Sequence, residues 1–509
     1  KIEDLRRRRA HIEEMGGEKR VAKHKAEGKL TARERITALT DPDSFVERFA
    51  FAKHRSIDFG MDKKEFPADG VITGPASIDG RLVHLASQDF TVAGGAAGEV
   101  HADKIVEMME FSLRTGSPFI FINDSGGARI QEGIHSLAAY GRLFHHNVLL
   151  SGVVPQVSII CGPCAGGAVY SPALTDFIIQ TRASRMFITG PQVIKQVTGE
   201  DVTPEELGGP ETHMRTSGVT HFIAEDDEDA MRICRKLMSF LPSNNMEDPP
   251  ELAADAEVEI DESLNDVIPD NPRQPYDVRD VIRKVVDHND FFEVQEQYAE
   301  NITIGFGRVL GRAVGIVANN PMFKAGVLDI NCSDKGARFI RFCNAYNIPI
   351  VTFVDVPGYM PGVEQEYGGI IRHGAKLLFA FSACTTPKIT IVLRKAYGGA
   401  YVAMSSKDLG ADCVAAWPSA EIAVMGAEGA VSIIFRKEIA EAEDKNAKRK
   451  ELIDVYRSKF GTPYMAAGNR MVDTIIEPSE TRQYLAVALE TLRNKRALRP
   501  QKKHGLMPL

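Results

Sequence analysis

The segment "PQVSIICGPCAGGAVYSP" (155–172) decides the fold, because an apolar run passes through Gly166-Gly167-Ala168 into a stretch typical of a helix. A second segment, "PKITIVLRKAYGGAYVAM" (387–404), has the same order of apolar run, Gly-Gly-Ala triplet and helical stretch. Short apolar runs bounded by Pro and Gly are typical of buried strands. Both segments therefore predict a strand that turns at a glycine pair into a helix.

The two segments belong to an internal repeat with a period close to half the chain. Sliding the sequence by 231 residues places "GPASIDGRLVHLASQDF" (74–90) over "GFGRVLGRAVGIVANNP" (305–321). Identical residues then coincide at Gly74, Gly80, Arg81, Val83, Gly95, Asp103, Lys104, Phe111, Pro118, Asp124 and Gly127. One further residue of shift aligns the Gly-Gly-Ala triplets, and a few more align Gly190 with Gly426. Self-similarity on this scale predicts two domains of the same fold.

Strands and helices alternate within each copy. The runs "PFIFIND" (118–124) and "PIVTFVD" (349–355) are short, apolar and rich in β-formers, and each ends in Asp. The preceding "DKIVEMMEFSL" (103–113) carries four apolar side chains on one helical stripe, namely Ile105, Met108, Met109 and Leu113. This alternation predicts an α/β fold.

Length and composition agree with two globular domains. The chain has 509 residues, 44% of them hydrophobic and 26% charged, which is longer than a single core usually grows. A net charge of −8 lacks the basic footprint of a nucleic-acid binder. Seven scattered cysteines indicate reduced thiols rather than a disulfide framework. The sequence contains no run of about 18 apolar residues, which is the length that predicts a membrane span.

Three charged segments stand apart from the repeat. The N-terminal residues 1–36 predict surface helices, either a solvated arm or a partner-binding arm. Residues 241–275 are acidic and rich in Pro and Asn, which favours an interdomain linker. Residues 436–460 predict a charged helix with an exposed face.

The glycine corners offer backbone chemistry. A strand that turns through Gly-Gly into a helix leaves the first helical N–H groups unpaired, where the helix dipole adds positive charge. Such a corner binds a phosphate, stabilises an oxyanion, or serves only as a tight packing turn. The corner occurs in both copies, and the glycine-rich loop 92–98 lies upstream of the first one. This arrangement favours a binding or catalytic role over a packing turn.

Other catalytic patterns are poorly represented. The sequence has no phosphate-loop motif, no His-Glu-x-x-His metal helix and no obvious nucleophile elbow. Cys161-x-x-Cys164 has no second cysteine pair to complete a zinc site. We therefore interpret this pair as packing beside the glycine corner, with Leu393 and Tyr397 near the same places in the second copy. Asp124 and Asp355 either cap loops or belong to an active site.

Long motifs resemble the biotin-dependent acyl-CoA carboxyltransferases. The matching strings include "SQDFTVAGG" (87–95), "NDSGGARIQEG" (123–133), "MFITGPQVIKQVTGED" (186–201), "DVPGYMPGVEQE" (355–366), "AWPSAEIAVMGAEGA" (416–430) and the tail "KKHGLMPL". The resemblance covers essentially the whole chain. It implies two tandem crotonase-like domains of ββα-spiral fold, with residues 1–252 on the acyl-CoA side and residues 262–509 on the biotin side.

The resemblance also implies partners. It predicts a hexamer built as a trimer of dimers, with each active site between the N-domain of one chain and the C-domain of its dimer partner. Biotin arrives on a separate carrier protein, because no Met-Lys-Met attachment string is present. A biotin carboxylase subunit or membrane decarboxylase subunits are further expected partners. No metal, nucleic acid or direct membrane insertion is expected. A cytoplasmic location is expected, with a removed organellar targeting peptide left open.

The family's chemistry assigns roles to the corners. Loss of CO2 from carboxybiotin leaves a ureido oxyanion, and the biotin nitrogen takes the α-proton of the acyl thioester to give an enolate that captures CO2. Similarity assigns the enolate oxygen to Gly166 and Gly167, and the biotin oxygen to Gly399 and Ala400. Further substrate contacts are implied at Gly94, Gly95, Gly126, Gly127, Ala128, Gly398, Tyr401 and Val402.

One position departs from part of the family. Propionyl-CoA carboxylases often have Asp after Gly-Gly-Ala-Tyr, whereas this chain has Val402, as in transcarboxylases and decarboxylase subunits. Carboxylation, transcarboxylation and sodium-pumping decarboxylation therefore stay open, with propionyl-CoA or methylmalonyl-CoA as substrate. A crotonase-type hydratase or isomerase and a non-catalytic scaffold are the alternatives from other classes.

Overall fold

The computed structural model of the chain describes residues 1–253 and 260–509. The chain divides into two compact units, Lys1–Asp248 and Pro249–Leu509. Part of the predicted linker, residues 254–259, lies outside the described residues. In its described part, Glu262–Asp266 forms a single 3-10 turn.

The first unit is built on one mostly parallel sheet. Its strands are β1 Val71–Ile78, β2 Arg81–Gln88, β3 Phe119–Ser125, β4 Gln156–Ala165, β5 Phe177–Thr181, β6 Arg185–Phe187 and β7 Phe222–Ala224. Its helices are α1 Ile2–Glu13, α2 Glu18–Ala26, α3 Ala32–Leu39, α4 Glu99–Thr115, α5 Ile134–Leu150, α6 Tyr170–Leu174, α7 Pro191–Thr198, α8 Pro204–Gly208, α9 Pro210–Thr212 and α10 Asp227–Phe240. The strand order is β1-β2-β3-β4-β5-β7, with β6 beside β4.

The second unit repeats this architecture. Its strands are β8 Phe292–Val294, β9 Ile302–Val309, β10 Arg312–Asn319, β11 Ile350–Val356, β12 Lys388–Tyr397, β13 Cys413–Ala416, β14 Glu421–Ala423 and β15 Thr474–Ile475. Its helices are α11 Val278–Val285, α12 Ile330–Ala345, α13 Val363–Gly368, α14 Ile370–Ala383, α15 Gly398–Ala403, α16 Ala427–Ile434, α17 Arg436–Glu441, α18 Lys445–Phe460, α19 Pro463–Gly468 and α20 Thr481–Thr491. The order β15-β13-β12-β11-β10-β9-β8, with β14 beside β12, matches the first sheet apart from the added β8.

Side chains that coincide in the repeat also make equivalent contacts. The buried ammonium of Lys104 donates to the carbonyls of Ala68 and Val71. Lys335, its counterpart, donates to three carbonyls of the second unit, those of Gln295, Tyr298 and Ile302. Burial lowers the pKa of Lys104 to about 8 and that of Lys335 to about 7. The predicted duplication is therefore confirmed in the topology and in buried polar contacts.

Each sheet has its own apolar core. In the first unit, the predicted stripe of α4 packs into a cluster that also contains residues of α5 and of the sheet. Ile105, Met108 and Met109 are fully buried, and Leu113 is half-buried. In the second unit the core surrounds Trp417, whose indole N–H donates to Thr481 Oγ1 at 2.9 Å.

The charged segments form helices, with two differences from prediction. Helix α1 buries no side chain, as a surface helix should, whereas α3 is not a surface helix because Ala32, Arg35 and Ile36 pack into the first unit. The charged stretch 436–460 is not one helix but two, because Asp444 interrupts it and caps α18 by accepting N–H groups of Asn446 and Ala447. Within the described residues, no helix is both long enough and apolar enough to cross a membrane.

Candidate active site

The first glycine corner lies at the end of β4. The strand ends at Ala165, and Gly166–Val169 forms a single 3-10 turn that leads into α6. Gly166 has a φ of 63°, a left-handed conformation that glycine adopts without strain. The predicted strand, corner and helix are therefore present in the first unit.

The second corner follows the end of β12 at Tyr397 and forms the first turn of α15. Gly398 has a φ of 59°, almost the same as Gly166. Gly399 is exposed, and a Cβ added there would meet no heavy atom within 4 Å. Open space therefore borders the backbone of this corner, where a ligand could approach the N–H groups.

Backbone donors at both corners are available to a ligand. The first N–H groups of a helical turn have no carbonyl of that turn to bond. Among the turn, loop and cap hydrogen bonds of residues 1–253 and 260–509, none is donated by the N–H groups of Gly166, Gly167, Gly399 or Ala400. Each corner can therefore donate its backbone N–H groups to an anionic oxygen.

The residues after Gly399 face different environments. The Ala400 side chain is buried, so this residue offers only its backbone. Tyr401 is also buried, and its hydroxyl has no hydrogen-bond partner among the described residues. Burial raises the pKa of Tyr401 to about 12, which keeps the phenol protonated at neutral pH. Val402 is 38% exposed, so its side chain is accessible from solution.

The structure brings the two predicted glycine loops of the first unit together. Gly126 N–H donates to Gly94 O at 2.9 Å, and Ala97 N–H donates to Gly127 O at 2.9 Å. Ala128 pairs with Ala97 through an isolated parallel bridge. A Cβ on Gly127 would lie 3.1 Å from the carbonyl oxygen of Ala165, so this loop packs directly against the first corner.

Gly94 and Gly95 differ in what they contact. Both have positive φ, 65° and 63°. A Cβ on Gly95 would lie 2.1 Å from the carbonyl oxygen of Asp124, whereas one on Gly94 would meet nothing within 4 Å. Gly95 is therefore required by packing, and Gly94 is open to a ligand.

The two cysteines of the first corner are buried, unpaired thiols. Cys161 and Cys164 are free and almost completely inaccessible. Burial raises the pKa of Cys164 to about 12, so it is neither a thiolate nucleophile nor a ready metal ligand. In the described residues, no group of three or more His, Cys, Asp or Glu is placed to hold a metal ion. The sheet register puts Ala396, next to Tyr397, in the place of Cys164.

The aspartates that end β3 and β11 are buried in ion pairs. Asp124 Oδ2 lies 2.9 Å from Arg35 Nη1, and both side chains are fully buried. Asp355 Oδ2 accepts the Nε–H of Arg394 at 2.9 Å. Burial raises the pKa of Asp355, although the Arg394 guanidinium opposes this shift. Both aspartates are candidates from the sequence, but the arginines that pair with them, Arg35 and Arg394, are not.

A cavity in the second unit was also missed from the sequence. It has a volume of about 970 Å³, and its lining includes Arg394, Glu421 and Arg457. Glu421 accepts the hydroxyl of Tyr397, the residue just before Gly398. The cavity therefore adjoins the strand that carries the second corner.

Comparison with known proteins places this geometry in a family. The model of the carboxyl transferase domain matches residues 23–507. The chain is 60% identical to the methylmalonyl-CoA carboxyltransferase 12S subunit of Propionibacterium freudenreichii subsp. shermanii, over 100% of this chain and 97% of that protein. It is 56% identical to the methylmalonyl-CoA decarboxylase subunit alpha of Veillonella parvula, over 100% of this chain and 99% of that protein.

A solved structure agrees with the sequence comparisons. The crystal structure of transcarboxylase 12S, a hexamer with methylmalonyl-CoA and methylmalonic acid bound, superposes with a TM-score of 0.98. That chain is 60% identical, and the match covers 100% of this chain and 98% of that one. This chain therefore belongs to the carboxyl transferase domain family.

Proposed function

We propose that this chain is a biotin-dependent carboxyltransferase subunit that moves a carboxyl group between carboxybiotin on a carrier protein and the α-carbon of propionyl-CoA or methylmalonyl-CoA. The observation that carries the proposal is 60% identity along the whole chain to a methylmalonyl-CoA carboxyltransferase subunit. The unpaired N–H groups at two equivalent corners supply the chemistry that such a transfer needs.

The first corner holds the thioester in this proposal. The N–H groups of Gly166 and Gly167 donate to the thioester oxygen, and these bonds strengthen as the oxygen gains enolate charge. The ring of Tyr140 packs beside Gly167, 3.8 Å from the position of an added Cβ. Removing one donor of this kind typically lowers kcat about 10²–10³-fold.

The second corner holds the biotin ring. Carboxybiotin, when bound, supplies the carboxyl group. The N–H groups of Gly399 and Ala400 donate to its ureido oxygen, and the open space at Gly399 gives the ring room to approach. Gly398 turns the backbone, and the exposed Val402 side chain and buried Tyr401 ring shape the surroundings.

The two units take different roles in this scheme. Residues 1–252 bind acyl-CoA and residues 262–509 bind biotin. CoA contacts are assigned to Gly94, Gly95, Gly126, Gly127 and Ala128. The active form is a homohexamer, a trimer of dimers, that works in the cytoplasm with a biotin carrier protein and with either a biotin carboxylase or membrane decarboxylase subunits.

Transfer in the direction of decarboxylation is a second candidate. It is supported by 56% identity to a methylmalonyl-CoA decarboxylase subunit and by the apolar Val402. Transcarboxylation uses the same half-reaction, so the partner chains decide between these outcomes. By resemblance, the side chain at position 402 also helps to shape the pocket for the acyl group. Val402→Asp should therefore raise KM for methylmalonyl-CoA, because a carboxylate there repels the carboxylate of the substrate, while the exposed position leaves the unfolding temperature unchanged.

A single assay separates this function from the other classes. Purified protein is incubated with methylmalonyl-CoA with and without free biotin, and in parallel with crotonyl-CoA. Release of CO2 only when biotin is present supports the carboxyltransferase. Hydration of crotonyl-CoA without biotin would point to a hydratase, and no turnover of any substrate would point to a scaffold.

A further inference from the structure

The strands that carry the two corners share one irregularity. In the first unit, β3 and β4 pair Asn123 with Ile160 and then Ser125 with Cys164, so β4 holds two extra residues. In the second unit, β11 and β12 pair Val354 with Val392 and then Val356 with Ala396, again with two extra residues. Each corner begins two residues after the last of these pairs. The path of the bulge therefore sets the direction in which the corner N–H groups point.

An aspartate fills the bulge of the second unit. Asp355 lies between the two pairings on β11 and is 1% exposed. Its Oδ1 accepts the N–H of Lys395 at 3.1 Å, and its Oδ2 accepts the Nε–H of Arg394 at 2.9 Å. Both partners belong to the bulged stretch of β12, so the carboxylate fixes the shape of the strand just before Gly398.

The same place in the first unit lacks both partners. Asp124 is the counterpart of Asp355, but Gly162 and Pro163 occupy the positions of Arg394 and Lys395. Glycine has no side chain to donate, and proline has no N–H. A Cβ on Gly162 would lie 2.0 Å from Asp124 Oδ1, so the carboxylate rests directly against the bulge. Neither oxygen of Asp124 accepts a hydrogen bond within the described part of the chain.

An arginine from outside the repeat takes the missing position. Arg35 of α3 is fully buried, and its Nη1 lies 2.9 Å from Asp124 Oδ2 in an ion pair that lacks hydrogen-bond geometry. Its Nε donates to Asp227 Oδ2 at 2.8 Å, and that same oxygen accepts the Leu30 N–H at 3.0 Å. His24 Nε2 lies 3.9 Å from Asp124 Oδ2. Arg35 thus bridges two buried carboxylates and anchors one of them in the bulge.

We propose that Arg35 and Arg394 are positioning residues, one for each corner: each neutralises the buried aspartate that fills a strand bulge and so holds the following glycine N–H groups in their donating direction. The proposal rests on the proposed function for what the corners bind. Its structural part stands alone, because an uncompensated carboxylate in a buried bulge should move toward water and take the strand with it.

Hydrogen–deuterium exchange of the purified protein tests the structural part without any substrate. Arg35→Met should speed amide exchange in the segment 160–172 and leave 388–404 unchanged. Arg394→Met should speed amide exchange in the segment 388–404 and leave 160–172 unchanged. Arg33→Met is the matched control on the same helix, since Arg33 is partly exposed and pairs with Glu47. Equal exchange of each variant and the unaltered protein in its own corner segment would overturn the proposal.

Biotin-dependent decarboxylation of methylmalonyl-CoA tests the functional part. Arg35→Met should lower kcat about 10-fold or more, because small misplacements of donors are costly, with KM for methylmalonyl-CoA changed less than threefold. Arg35→Lys keeps the charge but loses the guanidinium group that reaches both carboxylates. Its kcat should therefore lie between that of Arg35→Met and that of the unaltered protein. Arg35→Lys also replaces Arg35→Met if that variant does not fold.

The outcomes distinguish this proposal from the proposed function. An active unaltered protein whose folded Arg35 variants keep full kcat would refute the positioning role. An inactive unaltered protein would refute the proposed function, while the exchange experiment would still decide whether the arginines hold the corners.

Discussion

Gly166 and Gly398 occupy equivalent positions and adopt the same left-handed conformation, with φ of 63° and 59°. Each follows a ten-residue strand, β4 or β12, and is the first residue of a helical turn. The conformation is duplicated although the surrounding residues differ: Cys164-Ala165 stands before one corner and Ala396-Tyr397 before the other. The backbone geometry, not the neighbouring side chains, is the feature that both units keep.

The first corner predicts a sharp loss of activity on substitution. Gly167→Val should reduce kcat for methylmalonyl-CoA about 10²-fold or more, because a branched side chain pressed against the Tyr140 ring displaces the N–H groups that donate to the thioester oxygen. An added Cβ at Gly167 makes only ordinary contact with Tyr140, so the fold should persist. Steady-state kinetics and a thermal melt check this. Gly141→Val, also in open space, is the control, and equal activity of the two variants would disprove the assignment.

The glycine loop predicts two different outcomes at neighbouring positions. Ala at Gly95 would strike the Asp124 carbonyl, so the variant should lose about 3 kcal/mol or more of stability or fail to fold. Ala at Gly94 adds only left-handed strain, about 1–2 kcal/mol, and should weaken binding of CoA. Denaturant midpoints and calorimetric titration with CoA separate the two. A Gly94→Ala variant with unchanged CoA affinity would remove Gly94 from the site.

The buried cysteines should be chemically silent. Since burial raises the pKa of Cys161 and Cys164, neither should react with a thiol reagent in the native protein. Cys413, which is only partly buried, should react first. The double variant Cys161→Ala, Cys164→Ala should retain most of its activity. Loss of activity after addition of a chelator, or after oxidation that leaves Cys413 unmodified, would support a metal or redox role for Cys161 and Cys164.

Acid should destabilise the first unit through two buried histidines. Burial, with Arg129 nearby, lowers the pKa of His101 to about 3, and burial with Arg48 nearby lowers that of His84 to about 4. Both are near 6.5 in an unfolded chain, so the unfolded state binds more protons below that pH and stability falls as pH drops from about 6.5 toward 4. Urea midpoints at pH 7.5 and pH 5 measure the loss.

Substitution of these histidines tests the same account. His101→Gln should reduce the difference between the two midpoints, whereas the exposed His135→Gln should not. Midpoints that are equal at both pH values in the unaltered protein would contradict the assignment.

The sequence predicted the parts of this fold that depend on local pattern. Apolar periodicity and glycine placement predict the strands, the α4 stripe and both corners. The repeat supports these predictions, because strand and corner patterns occur in both copies. The Arg35–Asp124 pair could not be predicted, because its partners lie far apart in sequence and the repeat holds Gly162 where the second copy has Arg394. The inward Tyr401 and the break at Asp444 depend on packing and capping, which composition does not reveal.

The central claim is that the second corner binds biotin, and its most direct test measures how turnover depends on biotin. Methylmalonyl-CoA decarboxylation is measured against free biotin concentration for the unaltered protein, Gly399→Val and Gly468→Val, the last being an open glycine of α19. The account predicts saturable, biotin-dependent turnover in the unaltered protein and Gly468→Val, and a loss of about 10²-fold in Gly399→Val with its fold intact. Turnover that does not require biotin, or a Gly399→Val variant as active as the control, would contradict it.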